Sequence, residues 1–142
     1  MLTIQELVAD NASQISFTWV AGLGSAQRAI PDLGGSGADL VGHLNLIHPA
    51  RIQVFGKEEL SYYTRFETKR RIHHLEDLVA GGVPAILIAE NLSPPDDLRE
   101  FCNTQQVPLL TADIDAAQLI DLLRIYLGKR LASKTIMHGV FM

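Results

Sequence analysis

A chain of 142 residues, 47% hydrophobic and 20% charged, has the size and composition of one globular domain with a single core. Its formal net charge of -4 at pH 7 provides no basic field for a phosphate backbone, so we expect no nucleic-acid partner. No Lys or Arg precedes Arg28, and no apolar run approaches the roughly 20 residues of a membrane helix. A cytoplasmic protein without a signal peptide or membrane contact is therefore expected.

The first third of the chain predicts one helix and one strand. Thr3 is a candidate N-cap with Glu6 three residues later, and apolar residues follow at helical spacing, so we expect a short helix over residues 3–9. Apolar and polar side chains alternate over residues 15–20, which is the period of a strand. Residues 29–42 are rich in turn formers and indicate a surface loop or an irregular pair of strands.

The middle of the chain alternates strands and helices. Residues 51–55 predict a strand with one face more buried than the other. Helices are predicted over residues 57–64 and 68–80, the second ended by a glycine pair. The apolar run at residues 82–89 predicts a strand buried on both faces, around which the other elements are arranged.

The last third continues the alternation. We expect Ser93 to cap a helix that has two prolines in its first turn. A strand at residues 107–111, a helix at 115–129 and a final strand at 136–142 follow, and a chain that stops inside a strand pattern is expected to be part of something longer. The alternation predicts an α/β fold with a mostly parallel sheet flanked by helices.

Local motifs do not indicate an enzyme. The glycine-rich segments lack the spacing of a dinucleotide or phosphate loop. His73 and His74 are neighbours on a helix and point in different directions, so they cannot share a metal ion. Asp113 and Asp115 fit a helix cap and a complement to the helix dipole better than a general acid and base. We predict no metal ligand and no catalytic residue.

Simple structural roles account for three other features. The basic side chains among residues 57–71 fit a solvated helix face. Cys102 fits a reduced core thiol, because a single cysteine has no partner for an internal disulfide. His138, in an otherwise apolar strand pattern, fits a hydrogen-bonded histidine better than a site residue.

Four stretches, in a fixed order and spacing, carry a family resemblance. Residues 51–59 read Arg-Ile-Gln-Val-Phe-Gly-Lys-Glu-Glu and lead into an aromatic pair, and residues 82–88 are followed by Pro94-Pro95. Residues 107–110 read Val-Pro-Leu-Leu, and residues 131–142 close the chain. Together they resemble the N-terminal domain of the bacterial HPr kinase/phosphorylases, bifunctional enzymes that phosphorylate and dephosphorylate a serine of the phosphocarrier protein HPr.

The resemblance implies a fold similar to the N-terminal domain of the UDP-N-acetylmuramyl tripeptide synthetases. It places that domain in residues 1–132 and the start of a linker or strand toward a kinase domain in residues 133–142. The family's P-loop, catalytic acid and HPr-contacting signature lie beyond Met142, so the resemblance implies no cofactor in this chain. The parent enzyme would use ATP or pyrophosphate with magnesium. Residues 34–42 lack the Arg and Pro of the family's corresponding loop, which leaves that loop's role open.

Three functions remain open from the sequence. The first is a non-catalytic regulatory or assembly domain of a homo-oligomeric HPr kinase/phosphorylase in carbon regulation, whose kinase domain would meet HPr or a related phosphocarrier. The second is a pocket for a nucleotide-sugar-like ligand, built by residues 30–42 and the turn at Gly56-Lys57. The third is an adaptor that uses the helix at residues 68–80. The candidate ligand or interface residues are Arg51, Lys57, Glu59 and His138.

Overall fold

The computed structural model describes residues 2–30 and 40–140, the last ten by their backbone alone. The described strands are β1 (Phe17–Ala21), β2 (Val41–His43), β3 (Ile52–Phe55), β4 (Ile86–Ile88) and β5 (Leu109–Ala112). The described α-helices are α1 (Ile4–Asp10), α2 (Lys57–Thr64), α3 (Thr68–Ala80), α4 (Asp96–Gln105) and α5 (Ala116–Val140). None of these helices is long and apolar enough to cross a membrane.

The strands form one sheet in the order β1-β5-β4-β3-β2, with β4 at its centre. β2, β3, β4 and β5 run parallel, and β1 pairs with β5 in the antiparallel sense. The α/β fold, the parallel crossovers and the central position of the apolar run at residues 82–89 are thereby confirmed. β2 is a regular parallel strand within the segment for which a loop or irregular strand pair was expected, and residues 31–39 of that segment lie outside the described residues.

Helices cover both faces of the sheet. α1 and α5 pack on one face, where Ile52, Val54 and Leu87 point. α2, α3 and α4 pack on the other, together with Phe55 and Ile88. Because alternate side chains of a strand point to opposite faces, this double cover buries every residue of β3. The expectation that one face of β3 would be more exposed was therefore wrong.

The short first helix is confirmed and is tied to the last one. The hydroxyl oxygen of Thr3 accepts a hydrogen bond from the Glu6 amide at 3.2 Å, which caps α1. At the other end of α1, the Asp10 carboxylate accepts hydrogen bonds from Tyr126 at 2.5 Å and from Arg130 at 2.7 Å. These contacts hold α1 against α5 on one face of the sheet.

The start of α4 differs from the prediction. The helix begins at Asp96, Pro95 is the N-cap residue, and no side chain caps the helix. A residue that precedes a proline is driven out of the α region, so Pro94 cannot be helical before Pro95. Ser93 therefore lies too far upstream to serve as the cap. Asp96 and Asp97 do occupy the first turn, as expected from the helix dipole.

The end of the chain also differs from the prediction. α5 continues from Ala116 to Val140, so the strand expected at residues 136–142 is wrong within the described residues, and Lys129 and Arg130 lie inside the helix. Residues 130–134 are mostly good helix formers and no proline follows, so each added residue extends the helix at little cost. The predicted domain boundary after residue 132 falls within α5, and His138 is helical.

Candidate functional site

A groove of about 500 Å³ opens where β2 and β3 end, between α2, α3 and the segment that follows β2. In open α/β sheets, ligands bind beyond the carboxyl ends of the parallel strands, so the groove lies at the edge where a site is expected. It is lined by Leu44, Asn45, Leu46, Ile47, Phe55, Glu58, Glu59, Tyr62, Tyr63, Phe66, His74, Leu75 and Leu78. Nine of these thirteen side chains are aliphatic or aromatic, so the groove is hydrophobic and contains a few polar groups.

Aromatic rings follow one another along the groove. Phe55 and Tyr63 meet edge to face at 5.9 Å between ring centroids. Tyr62 and Phe66 meet in the same way at 5.0 Å, and Phe66 meets His74 at 5.0 Å. Edge-to-face packing of this kind fixes ring orientation, so the groove has a defined aromatic wall.

Glu59 is the carboxylate most firmly held in the groove. Its Oε1 accepts a hydrogen bond from the Gly56 amide at 2.7 Å, which satisfies the backbone N–H of the N-cap residue of α2. The same oxygen lies 3.6 Å from Nδ1 of His43, at the end of β2. The Glu59 side chain is only 20% exposed. Its negative charge is therefore fixed in place by the backbone around it.

The segment between β2 and β3 forms one wall of the groove, and Gln53 determines its path. The Gln53 side chain is fully buried within β3. Its Oε1 accepts from the Asn45 amide at 2.8 Å, and its Nε2 donates to the carbonyls of His48 at 3.0 Å and Arg51 at 3.1 Å. One side chain thus satisfies three backbone groups of a short crossover that has no helix of its own.

Arg71 connects the C-terminal end of α2 to α4 beside the groove. Its guanidinium donates to the carbonyls of Thr64 at 2.6 Å and Phe66 at 2.8 Å, and to Asp97 on α4 at 3.4 Å. Tyr63 donates to the same Asp97 oxygen at 3.3 Å. Burial, and then the Asp97 carboxylate, raises the pKa of Tyr63 above its ordinary value. The interpretation of the basic run as a wholly solvated face was therefore wrong for Arg71.

The structure separates the sequence-predicted site residues. Glu59 lines the groove, and Lys57 is exposed at the first position of α2, beside it. Arg51 precedes β3 and thus lies at the opposite edge of the sheet from Lys57. His138 is in α5, and its side chain is outside what the structure describes.

The aromatic lining of the groove was not predicted from the sequence. Tyr62 and Phe66 are four residues apart, the spacing that puts two side chains on one side of a helical turn. That spacing was the available signal. Ile47 lies in a segment without apolar periodicity, so no sequence pattern predicted its position at the groove.

The two aspartates considered in the sequence analysis, Asp113 and Asp115, each accept a hydrogen bond from a backbone amide near the start of a strand or helix. Asp115 accepts from the Gln118 amide at 2.8 Å and caps α5, which confirms its predicted role. Asp113 instead accepts from the Ser16 amide at 2.9 Å, at the entry to β1. Within the described part of the chain, no group of three or more His, Cys, Asp and Glu side chains is placed to hold a metal ion.

Comparison with known proteins gives one consistent result. The family described as HPr Serine kinase N terminus matches residues 2–127. An HPr kinase/phosphorylase from Bordetella avium is 66% identical over 142 residues, which cover 100% of this chain and 46% of that protein. HPr kinase/phosphorylases from Cupriavidus necator and Ralstonia nicotianae are 44% and 43% identical over 99% of this chain and 45% of their own lengths. The chain thus spans about half the length of these relatives.

Proposed function

The chain belongs to the HPr serine kinase N-terminal family, and from that premise we propose that it is a non-catalytic regulatory or assembly domain of a bifunctional HPr kinase/phosphorylase. In this proposal the whole protein is cytoplasmic and forms a homo-oligomer. It phosphorylates and dephosphorylates a serine of HPr or a related phosphocarrier, with ATP or pyrophosphate and magnesium. In this proposal, phosphoryl transfer is carried out by the part of the whole protein that corresponds to the half of the relatives that this chain does not cover.

One observation carries the proposal: the carboxylates make structural contacts, whereas the accessible groove is mostly apolar. The carboxylates of Glu59, Asp97 and Asp115 bind helix ends or a neighbouring helix. The groove, in contrast, presents mostly apolar and aromatic side chains at the carboxyl edge of the sheet. A domain that acts by contact needs an accessible binding surface more than it needs a reactive group.

Two experiments test the catalytic part of the proposal. The chain alone, incubated with HPr, labelled ATP and Mg²⁺, should transfer no phosphate to HPr. A chimera in which this chain replaces the aligned part of the Bordetella avium enzyme should retain both kinase and phosphorylase activity, because the two sequences are 66% identical. Phosphoryl transfer by the chain alone would contradict the assignment of a non-catalytic role.

The regulatory or assembly part is tested in the same chimera. Tyr62→Ala removes an exposed aromatic ring at the groove while leaving the sheet intact. We expect it to change either the ratio of kinase to phosphorylase rate or the mass measured by light scattering. Glu100→Gln, at an exposed position of α4, is the matched surface control. If neither the ratio nor the mass differs from the control, the groove has no role in regulation or assembly.

The two other functions have less support. A pocket for a nucleotide-sugar-like ligand would use Arg51 and Lys57 together, and these residues lie at opposite ends of β3. Most of residues 30–42, which would complete that pocket, lie outside the described part of the chain. An adaptor that binds through α3 would use its outer face, which carries mixed charges and the exposed His73–Asp77 pair at 3.7 Å.

A further inference from the structure

We infer that the groove between α2 and α3 is a docking site for a protein segment that presents a Lys or Arg side chain between apolar residues. The inference concerns this chain by itself and does not depend on the proposed function. It rests on the charge of the groove, on its aromatic wall and on the exposed apolar residues at its rim.

The charge of the groove favours a cation. Glu58 and Glu59 line it, and none of its lining residues is Lys or Arg. Lys57 and Arg65 line an adjoining depression that shares Glu58 and Tyr62 with the groove, so Glu59 is the carboxylate that belongs to the groove alone. Opposite charges attract each other more strongly near a protein surface than in bulk water, because the effective dielectric constant is lower there. The same carboxylates repel phosphates, so an anionic ligand is disfavoured in this groove.

The aromatic wall favours the same ligand. The face of an aromatic ring attracts ammonium and guanidinium groups. The protein already uses this attraction at the groove, since Arg71 lies 5.4 Å from the ring centroid of Tyr63 and Arg70 lies 4.9 Å from that of Phe66. The ring of Tyr62 is half exposed and adjoins Glu58, so it can receive a cation from outside.

The rim of the groove identifies the occupant as a peptide segment. Ile47 is 81% exposed, Tyr62 52% and Leu46 37%, and these are three of the five exposed large hydrophobic residues in the described part of the chain. A free amine in the groove would leave Ile47 in water. A segment with apolar residues on both sides of its cation would cover the rim as well, and binding would then remove apolar surface of both partners from water.

A matched set of peptides tests the inference. The reference is acetylated and amidated Ser-Leu-Trp-Lys-Leu-Ser. In two variants norleucine or Glu replaces the Lys, and in a third Ser replaces both Leu. Titration followed by amide chemical shifts of the labelled chain should place the reference peptide at α2, α3 and residues 44–47. We expect it to bind at least tenfold more tightly than the Glu peptide, and more tightly than the norleucine and Ser variants.

Protein variants then test whether Glu58 and Glu59 supply the negative charge that favours the Lys peptide. Glu58→Gln with Glu59→Gln should abolish the preference for Lys over norleucine. Gln at position 59 can still accept a hydrogen bond from the Gly56 amide, because its side-chain carbonyl oxygen can take the place of the carboxylate oxygen. Glu100→Gln on α4 removes one negative charge elsewhere and should leave the preference unchanged.

Four results would overturn the inference. They are absence of binding at millimolar peptide, equal affinity for the Lys and Glu peptides, a preference that survives in the double variant, and affinity for tryptamine equal to that for the reference peptide. The last result would identify a site for small organic cations in place of a docking site.

Discussion

The buried side chain of Gln53, in β3, binds the backbone of Asn45, since its Oε1 accepts a hydrogen bond from the Asn45 amide at 2.8 Å. Residues 44–51 connect two parallel strands without a helix, whereas such connections ordinarily need a dozen residues or more. The Gln53 amide supplies the hydrogen bonds that a crossover helix would make internally. The groove wall at residues 44–47 therefore depends on one buried polar side chain.

We predict that Gln53→Leu destabilises the protein by about 2–4 kcal/mol. Leucine fills a similar volume but leaves the Asn45 amide and the Arg51 carbonyl without this partner, and leaves the His48 carbonyl with the Arg51 amide alone. Urea unfolding measures the loss. Gln118→Leu, at an exposed position of α5, is the control and should change the free energy of unfolding by less than about 0.5 kcal/mol. Equal effects of the two substitutions would show that the Gln53 contacts contribute nothing to stability.

Arg71→Lys is predicted to be destabilising, although it keeps the positive charge. The planar guanidinium of Arg71 bonds the carbonyls of Thr64 and Phe66 and the Asp97 carboxylate at once, and one ammonium group cannot reproduce that geometry. We expect a loss of about 1–3 kcal/mol in urea unfolding. Arg70→Lys is the control, because Arg70 is exposed and its guanidinium lies over the Phe66 ring at 4.9 Å from the centroid. A loss no larger than that of the control would contradict this role of Arg71.

The strands and helices were predictable where one periodic signal dominated. The residues of α3 show the apolar spacing of a helix and are followed by a glycine pair, and its observed bounds match the prediction. The apolar run around β4 likewise indicated a strand buried on both faces. At Ser93 the preference of serine for helix caps competed with the restriction that Pro95 places on Pro94, and the proline restriction decided the result.

The groove was less predictable because tertiary contacts form it. Arg71 looks like any other member of a basic run, and only the folded chain brings Asp97 and two carbonyls to it. Glu59 was identified through a resemblance, and its position in the groove follows from its hydrogen bond with the Gly56 amide. No periodicity in the sequence reports the meeting of α2 with residues 44–47.

Stability should fall at alkaline pH, in part through Cys102. Burial raises the pKa of the Cys102 thiol from 9.0 to about 12. The unfolded chain therefore releases this proton first, so the thiol's contribution is complete below pH 9 and is lost as the pH rises toward 12. One such group lowers the free energy of unfolding by about 1.4 kcal/mol per pH unit within that range.

The Cys102→Ala variant isolates the thiol from other titrating groups. Tyr63, whose pKa is also raised, titrates in both proteins, and Cys102 is the smallest cause of its shift, so a comparison of slopes removes most of its effect. We expect urea unfolding between pH 9 and pH 11 to show a shallower decline for Cys102→Ala than for the natural sequence. Parallel declines would mean that the buried thiol does not contribute.

Gly128→Ala should stabilise the protein by about 0.5–1 kcal/mol. Gly128 lies inside α5, and a Cβ atom built there meets no atom within 4 Å among the described residues. Alanine costs less backbone entropy in a helix and meets no clash at this position. Gly22→Ala is the contrasting variant, because φ is +68° at Gly22 and a Cβ atom would lie 2.0 Å from the Val107 carbonyl oxygen. It should cost more than about 2 kcal/mol.

The pair of glycine variants also tests whether the last helix continues past Gly128. If the helix stopped just before Gly128, this glycine would take the first position after the helix end, where a left-handed backbone favours glycine and alanine brings no gain. A thermal midpoint that rises in Gly128→Ala supports a helix that continues through residue 128. A midpoint that falls, with Gly22→Ala destabilised as expected, would contradict the continuous helix without questioning the rest of the fold.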